Sequence, residues 1–207
     1  MINKEECELW LIDNQNSLID FVTTFHWYFS PASNENRDSD HVVYIDLIEK
    51  GESHTCEFKT YIRLKDNINT KTEQLERTLC AFSNASGGML LIGGSDDGVI
   101  EGIDEEVRKN FNNAIDDCLK LYIREIRKRL NENLRDGQCV DIKAVQIGDL
   151  HIIEVHAVRT KRVNYYLSTK QGFMRRGATS AKMTAADERE NINDRLSGLD
   201  YFSDHLS

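Results

Sequence analysis

One passage of the sequence, residues 69–103, constrains the fold more than any other. Its first part predicts a helix over residues 69–86, because Leu75, Leu79 and Phe82 recur at spacings of four and three and therefore share one helical face. That face is apolar, so we expect the helix to pack against a sheet rather than to lie free in solvent.

The second part of the passage predicts the sheet against which the helix packs. Gly87 and Gly88 end the helix, because glycine readily adopts the left-handed conformation that closes helices. The short apolar run over residues 89–93 is typical of a central strand. Residues 95–98 predict a turn, and residues 99–103 predict a returning strand.

Strands are also predicted before this passage, and a long helix after it. Residues 41–48 and 56–64 are rich in β-branched and aromatic residues, which favour strands. Asp104 is predicted to cap a helix over residues 105–134. Its apolar stripe recurs at helical spacing and comprises Val107, Phe111, Ile115, Cys118, Tyr122, Ile126 and Leu130.

Two hairpins follow in the prediction. Alternation of apolar and polar residues predicts one hairpin from residues 140–147 and 151–158, and a second from residues 163–167 and 172–175. The mixed order of helices and strands predicts an α+β fold with a mixed, mostly antiparallel sheet packed with helices.

The end of the sequence predicts one more helix. Thr184 and Asp187 have the spacing of a helix-capping pair, and we expect this helix to fray beyond Ser197. We therefore divide the chain into an N-terminal extension over residues 1–40 that could serve as an interface, a domain over residues 41–197, and a flexible tail over residues 198–207.

Composition excludes several classes of protein. No run is long and apolar enough to span a membrane, and acids stand where a signal peptide would carry basic charge, so we expect a cytoplasmic or nuclear protein. No two cysteines form a CxxC pair, which favours free thiols and predicts no zinc site. The five cysteines are Cys7, Cys56, Cys80, Cys118 and Cys139.

Charge is distributed unevenly along the chain. The formal net charge of -9 argues against a protein whose whole surface binds polyanions. Residues 155–186 nevertheless contain no acid and carry a local charge of +7, which leaves -16 for the remainder. A local basic strip is sufficient to hold a phosphate backbone, although such a strip can equally be a solvated surface. Its cations are Arg159, Lys161, Arg162, Lys170, Arg175, Arg176 and Lys182.

Three acids have placements that could support chemistry. Glu57 and Lys59 lie two apart on a predicted strand and so share a face. Asp96 follows the end of an apolar strand. Glu52 precedes Glu57 by five residues, so the two converge only if the chain turns at residues 53–54. Gathered carboxylates hold the hard divalent cations that assist phosphodiester cleavage, although single acids at such positions are usually solvated.

Four ordered motifs carry a family resemblance. Residues 51–59 read GESHTCEFK, and residues 79–93 read LCAFSNASGGMLLIG. Residues 96–103 read DDGVIEGI, and residues 173–179 read FMRRGAT. Together they resemble the Schlafen family over roughly residues 50–195, and the resemblance implies a single lobe of the AlbA_2 type.

The resemblance implies a catalytic role for the three acids. In nuclease-active members, acids at the positions of Glu52, Glu57 and Asp96 cut RNA with Mg²⁺ or Mn²⁺. Lys59 matches a family lysine and is expected to contact phosphate in the active site. Ser95 departs from the family, which often has a second aspartate there, and the zinc ligands of the vertebrate members are missing.

We therefore expect a metal-dependent endoribonuclease, or the catalytic subunit of a composite one, acting on tRNA, rRNA or a piRNA precursor. A single lobe suggests a homo- or hetero-oligomer with another Schlafen-like chain. The alternatives are a non-catalytic nucleic-acid-binding regulator and an inactive scaffold subunit. Residues expected to hold RNA are Lys59, Lys161, Arg162, Arg175 and Arg176, with Tyr165 and Tyr166 as candidates for stacking on bases.

Overall fold

A computed structural model describes residues 37–64, 73–95 and 97–203 of the chain. Contacts between residues divide the chain into two compact units, Met1–Arg37 and Asp38–Ser207. The described elements lie almost entirely in the second unit. In order along the chain they are α1 (Arg37–Glu49), β1 (Cys56–Lys59), α2 (Glu73–Asn84), β2 (Gly88–Ile92), α3 (Asp104–Phe111), α4 (Ile115–Asn133), β3 (Val140–Ile147), β4 (Leu150–Ala157), β5 (Phe173–Arg176), β6 (Thr179–Lys182) and α5 (Ala185–Ser203).

The main sheet has the strand order β1-β2-β4-β3 and is mixed. Strands β1 and β2 are parallel, whereas β4 pairs antiparallel with both β2 and β3. Strands β5 and β6 form a separate antiparallel hairpin. The fold is therefore α+β with a mostly antiparallel sheet, as the sequence predicted.

Helix α2 is the central packing element on one face of the sheet. Leu75, Leu79 and Phe82 are all buried, as their spacing predicted, and α2 contacts β2, β4 and the β5–β6 hairpin. Gly87 ends the connection from this helix with a positive φ of +89°, and a Cβ there would lie 2.9 Å from the Ala157 carbonyl oxygen. The turn therefore requires glycine both for its conformation and for its space.

The opposite face of the sheet is covered by α1, and the predicted strand over residues 41–48 is wrong. Tyr44 and Ile48, four apart, are buried, whereas Val43 and Ile45 on either side of Tyr44 are exposed. That burial follows helical rather than alternating periodicity. The β-branched content of the segment indicated a strand, but the tertiary environment determines the result. The Tyr44 hydroxyl donates to the buried Glu154 carboxylate on β4 and thereby anchors α1.

The long helix predicted over residues 105–134 is two helices. Asn112 adopts the left-handed conformation with φ of 50° and ends α3, and α4 begins three residues later. The predicted cap is also wrong, because the Asp104 carboxylate accepts hydrogen bonds from the His151 backbone N–H and ring Nδ1 at 2.7 Å each. Asp104 therefore ties α3 to the β3–β4 hairpin. The predicted apolar stripe faces the core across both helices.

Four other elements differ from prediction. Residues 99–103 contribute one isolated bridge, from Ile100 to Gly94, instead of a strand. The second hairpin pairs β5 with β6 around Gly177, because residues 163–167 are held instead by contacts with α2 and α4. Strand β1 ends at Lys59, and helix α5 continues to Ser203 beyond the predicted fraying point. Among the described helices, none is both long and apolar enough to cross a membrane.

Helix α5 begins at the capping pair that the sequence predicted. The Thr184 backbone N–H donates to Asp187 Oδ2 at 2.8 Å, and the Asp187 N–H donates to Thr184 Oγ1 at 3.2 Å. We expect Thr184→Ala to lower the free energy of unfolding by about 1 kcal/mol, since it removes the capping oxygen. Urea denaturation followed by circular dichroism measures this, with Thr184→Ser as the control that keeps the hydroxyl. An unchanged midpoint for Thr184→Ala would contradict the role of the cap.

Candidate active site

The turn before β1 brings Glu52 and Glu57 together. Ser53 N–H donates to the Cys56 carbonyl at 2.9 Å, so the chain reverses before the strand starts. Glu52 Oε1 then accepts the Phe58 backbone N–H at 3.1 Å. That N–H lies on the side of β1 turned away from β2, because the alternate residues Thr55 and Lys59 pair with β2. The convergence that the sequence allowed only with a turn at residues 53–54 is present.

Lys59 lies between the two carboxylates. Its Nζ is 3.2 Å from Glu52 Oε1 and 3.2 Å from Glu57 Oε1. Burial by itself would lower the pKa of the Lys59 ammonium, but the carboxylates of Glu57 and Glu52 outweigh burial and raise that pKa above its ordinary value. Two acids therefore share one cation at the edge of the sheet, and Lys59 stays charged there.

Arg175 on β5, 118 positions after Glu57 in the sequence, holds this arrangement in place. Its side chain is 0% exposed, and NH1 donates to Glu57 Oε2 at 2.5 Å. Nε and NH2 donate to the carbonyls of His54 and Ser53 at 3.2 and 2.6 Å, which are the two residues of the turn. One guanidinium therefore fixes both the catalytic candidate Glu57 and the turn that presents Glu52. The planar fork of arginine suits this multiple donation.

Burial corrects the expected role of Arg175 as a surface contact for RNA. A guanidinium with no exposed surface and with donors directed at protein oxygens is not accessible to a phosphate backbone. Its neighbour Arg176 does face solvent, although it pairs with Asp187 at 2.8 Å. The two arginines alternate across β5, so one faces inward and the other outward.

Three further side chains belong to the site and were not predicted. Thr78 on α2 donates its hydroxyl to Glu57 Oε1 at 3.1 Å. Ser180 on β6 accepts from Arg175 NH1 at 3.0 Å, and the Phe82 ring lies 4.7 Å from the Arg175 guanidinium carbon. Phe82 was predicted only as a core residue. Nothing in the local sequence marks these side chains, because their partners come from distant segments.

The third predicted acid, Asp96, lies outside the described residues. Within the part of the chain that the structure describes, no three His, Cys, Asp or Glu side chains cluster closely enough to hold a metal ion. The donors that are described suit a hard divalent cation, since Glu52 and Glu57 are carboxylates that already converge on a cation. Nucleophilic thiol chemistry does not fit, because burial raises the pKa of the nearby Cys56 thiol to about 12.

Only part of the predicted basic strip is exposed to solvent. Lys161 and Arg162 are exposed after β4, and within residues 37–64, 73–95 and 97–203 neither side chain has an ion pair. Tyr166 donates its hydroxyl to the Glu73 carbonyl and packs 5.4 Å from the Phe173 ring, so it is largely structural. Tyr165 is half-buried, with Arg135 and Lys170 within 5.3 and 5.1 Å of its ring centroid.

Comparison with known proteins gives a family match and a likeness to solved structures. The family model described as Schlafen, AlbA_2 matches residues 52–184, which include Glu52, Glu57, Lys59 and Arg175. The chain is also similar to the crystal structure of the DIP2311 protein from Corynebacterium diphtheriae, at 14% identity and a TM-score of 0.44. That alignment covers 76% of this chain but only 29% of the other. No curated protein matches the chain.

Proposed function

Because this chain belongs to the Schlafen AlbA_2 family, we propose that it is a metal-dependent endoribonuclease, or the catalytic subunit of a composite one. The family is associated with nuclease activity and nucleic acids, and the finer activity is our proposal. Its catalytic residues would be Glu52, Glu57 and Asp96, assisted by Lys59. Substrates of the class of tRNA, rRNA or a piRNA precursor follow from the family resemblance.

One observation carries the proposal. Glu52 and Glu57, which start from either side of a turn, both place a carboxylate oxygen 3.2 Å from the same ammonium nitrogen. Two carboxylates brought together repel each other, and such an arrangement favours a cation. Glu52 retains 28% of its side-chain exposure, so the site remains open to solvent and to a substrate.

Each protein group has a definable part in the proposed reaction. Arg175 and Thr78 hold the Glu57 carboxylate in one orientation, and Phe58 N–H holds Glu52. Mg²⁺ or Mn²⁺ held by Glu52, Glu57 and Asp96 would neutralise charge on the scissile phosphate and lower the pKa of a water molecule. The Lys59 ammonium would contact a non-bridging phosphate oxygen, where negative charge develops.

The local charge balance favours a second candidate, a non-catalytic nucleic-acid-binding module. Lys59 and Arg175 already offset the charges of Glu52 and Glu57, so a phosphate could approach without a bridging metal. This candidate predicts RNA binding that is unchanged by chelation and is not followed by cleavage. An inactive scaffold subunit predicts the same absence of cleavage but requires a second chain.

Cleavage of labelled RNA tests the proposal directly. We expect the protein to cut tRNA or single-stranded RNA with Mn²⁺ or Mg²⁺ and to lose all cutting in EDTA. Glu52→Gln should abolish most of the activity while leaving the fold intact, because Glu52 is partly exposed. Glu105→Gln is the matched control, since that exposed acid lies on α3 in a surface pair with Lys109.

The outcomes separate the candidates. Cutting that persists in EDTA, or that is equal in Glu52→Gln and the unchanged protein, contradicts the metal-carboxylate mechanism. Binding without cutting supports the regulator or an incomplete assembly. Light scattering on the same samples tests our further proposal of a homo- or hetero-oligomer, because a strictly monomeric and active protein would exclude it.

A further inference from the structure

A pocket of about 270 Å³ lies between α5 and the segment that follows β4, apart from the carboxylates. Its basic side chains come from three parts of the chain: Arg135 follows α4, Lys161 and Arg162 follow β4, and Arg195 lies on α5. Glu188 is the one acid among the lining residues. Four cations against one acid give the lining a net charge of +3.

The cations differ in how many hydrogen bonds they donate to other groups of the protein. Arg195 donates to the carbonyls of Thr160, Asn191 and Ser83, so its charge is fixed in place without a carboxylate among these partners. Burial, and next the charge of Arg159, lower its pKa. Lys161 and Arg162 are exposed, and their side chains make no hydrogen bond within the described residues. The pocket therefore presents positive charge that the surrounding structure does not neutralise.

Apart from Glu188, the rest of the lining is apolar or aromatic. Ile192 and Leu196 lie four apart on one face of α5 and are 41% and 53% exposed. Val163 and Tyr165 complete this side. An apolar surface next to unneutralised cations matches a ligand that has a flat organic ring at one end and negative charge at the other.

We propose that this pocket binds one nucleotide of an RNA strand, with its phosphate against Lys161 and Arg162 and its base against Tyr165, Ile192 and Leu196. The volume of about 270 Å³ lies just below the usual lower limit of ligand pockets, about 300 Å³, which suits a single nucleotide. The identification of the strand as RNA rests on the proposed function, whereas the pocket itself does not depend on cleavage.

Helix α2 connects the pocket to the carboxylates. The Ser83 carbonyl on this helix accepts hydrogen bonds from Arg195 NH2 and from Thr160, at the pocket, while Thr78 binds Glu57. Five residues of helix separate Ser83 from Thr78, a rise of about 7.5 Å. One helix therefore contacts both a lining residue of the pocket and Glu57, and, if the proposed function holds, a nucleotide bound in the pocket would help to set the cleavage position.

Binding in EDTA tests the pocket without any contribution from cleavage. The probes are AMP and inorganic phosphate in isothermal titration, and fluorescein-labelled single-stranded RNA in anisotropy. We expect AMP to bind more tightly than phosphate, because only AMP uses the apolar side. Ile192→Ser should weaken AMP binding at least several-fold and leave phosphate binding unchanged. Lys161→Ala with Arg162→Ala should weaken both ligands and lower the salt slope of RNA binding by roughly 0.7 per lost contact.

Lys128→Ala, on the exposed side of α4, is the control for general charge loss. Equal binding of AMP and phosphate, or normal binding by all pocket variants, overturns the pocket. Absent cleavage together with pocket-dependent AMP binding leaves the pocket standing and contradicts RNA cleavage by this chain alone. If metal-dependent cleavage keeps its rate and its position in all pocket variants, the nuclease stands and the proposed role of the pocket in cleavage is wrong.

Discussion

Replacing Arg175 by alanine is expected to lower the free energy of unfolding by about 3 kcal/mol, because it leaves the buried Glu57 carboxylate with only the Lys59 ammonium, which Glu57 shares with Glu52. Glu57 is only 9% exposed, and its closest ion pair is with Arg175 at 2.5 Å. The same substitution frees the carbonyls of Ser53 and His54. The turn that presents Glu52 would therefore loosen, and RNA cleavage should fall together with stability.

Urea denaturation measures the stability change, with two comparison variants. Arg176→Ala removes the next residue of β5, which faces solvent and makes a surface pair, so it should change the midpoint little. Arg175→Lys keeps a charge but cannot reproduce the planar fork, and its stability should lie between the other two. A midpoint for Arg175→Ala equal to that of Arg176→Ala would show that the buried pair contributes no net stability.

Glu57→Gln is expected to reduce RNA cleavage by roughly 10²- to 10³-fold, which corresponds to a loss of several kcal/mol of transition-state stabilisation. The amide keeps the size of the side chain and removes its charge, so the site loses one of the two described acids next to Lys59. The measurement is the cleavage rate with saturating Mn²⁺, at a temperature where circular dichroism shows each variant to be folded.

Stability and catalysis must be separated for this variant, because Arg175 loses its carboxylate partner. Glu76→Gln is a matched control, since Glu76 is also buried and paired with an arginine, Arg129, at 2.5 Å. It should lose stability and keep the cleavage rate of the folded protein. A double variant, Glu57→Leu with Arg175→Met, replaces the buried pair by apolar groups, which is often neutral for folding. We expect it to fold and not to cut. Cleavage by the folded double variant would exclude Glu57 from the chemistry.

Local patterns in the sequence predicted the elements whose determinants are local. The glycine pair after α2, the turn between β3 and β4, and the Thr184–Asp187 cap each depend on residues within a few positions of one another. The predictions were wrong where packing overrides local preference. The segment over residues 41–48 has strand composition, but it forms a helix because Tyr44 and Ile48 are buried on the sheet. Asn112 breaks a helix whose apolar stripe continues across the break.

The site was predictable only as far as its motifs reached. Motif similarity identified Glu52, Glu57, Lys59 and Arg175, and strand alternation placed Glu57 and Lys59 on one face. Whether an arginine on β5 faces RNA or faces Glu57 depends on how the hairpin packs against α2, and that information is not local. For the same reason the sequence did not mark Arg135 and Arg195, which complete the basic pocket from separate elements.

The ion pair between Glu57 and Arg175 joins residues that are 118 positions apart. During synthesis, the strand that carries Glu57 and Lys59 therefore leaves the ribosome long before the hairpin that holds it. Until most of the domain has been translated, Glu57 therefore lacks the arginine that holds its carboxylate. For a protein proposed to cut RNA, this order would keep the site incomplete until the β5–β6 hairpin has been translated and has folded against β1.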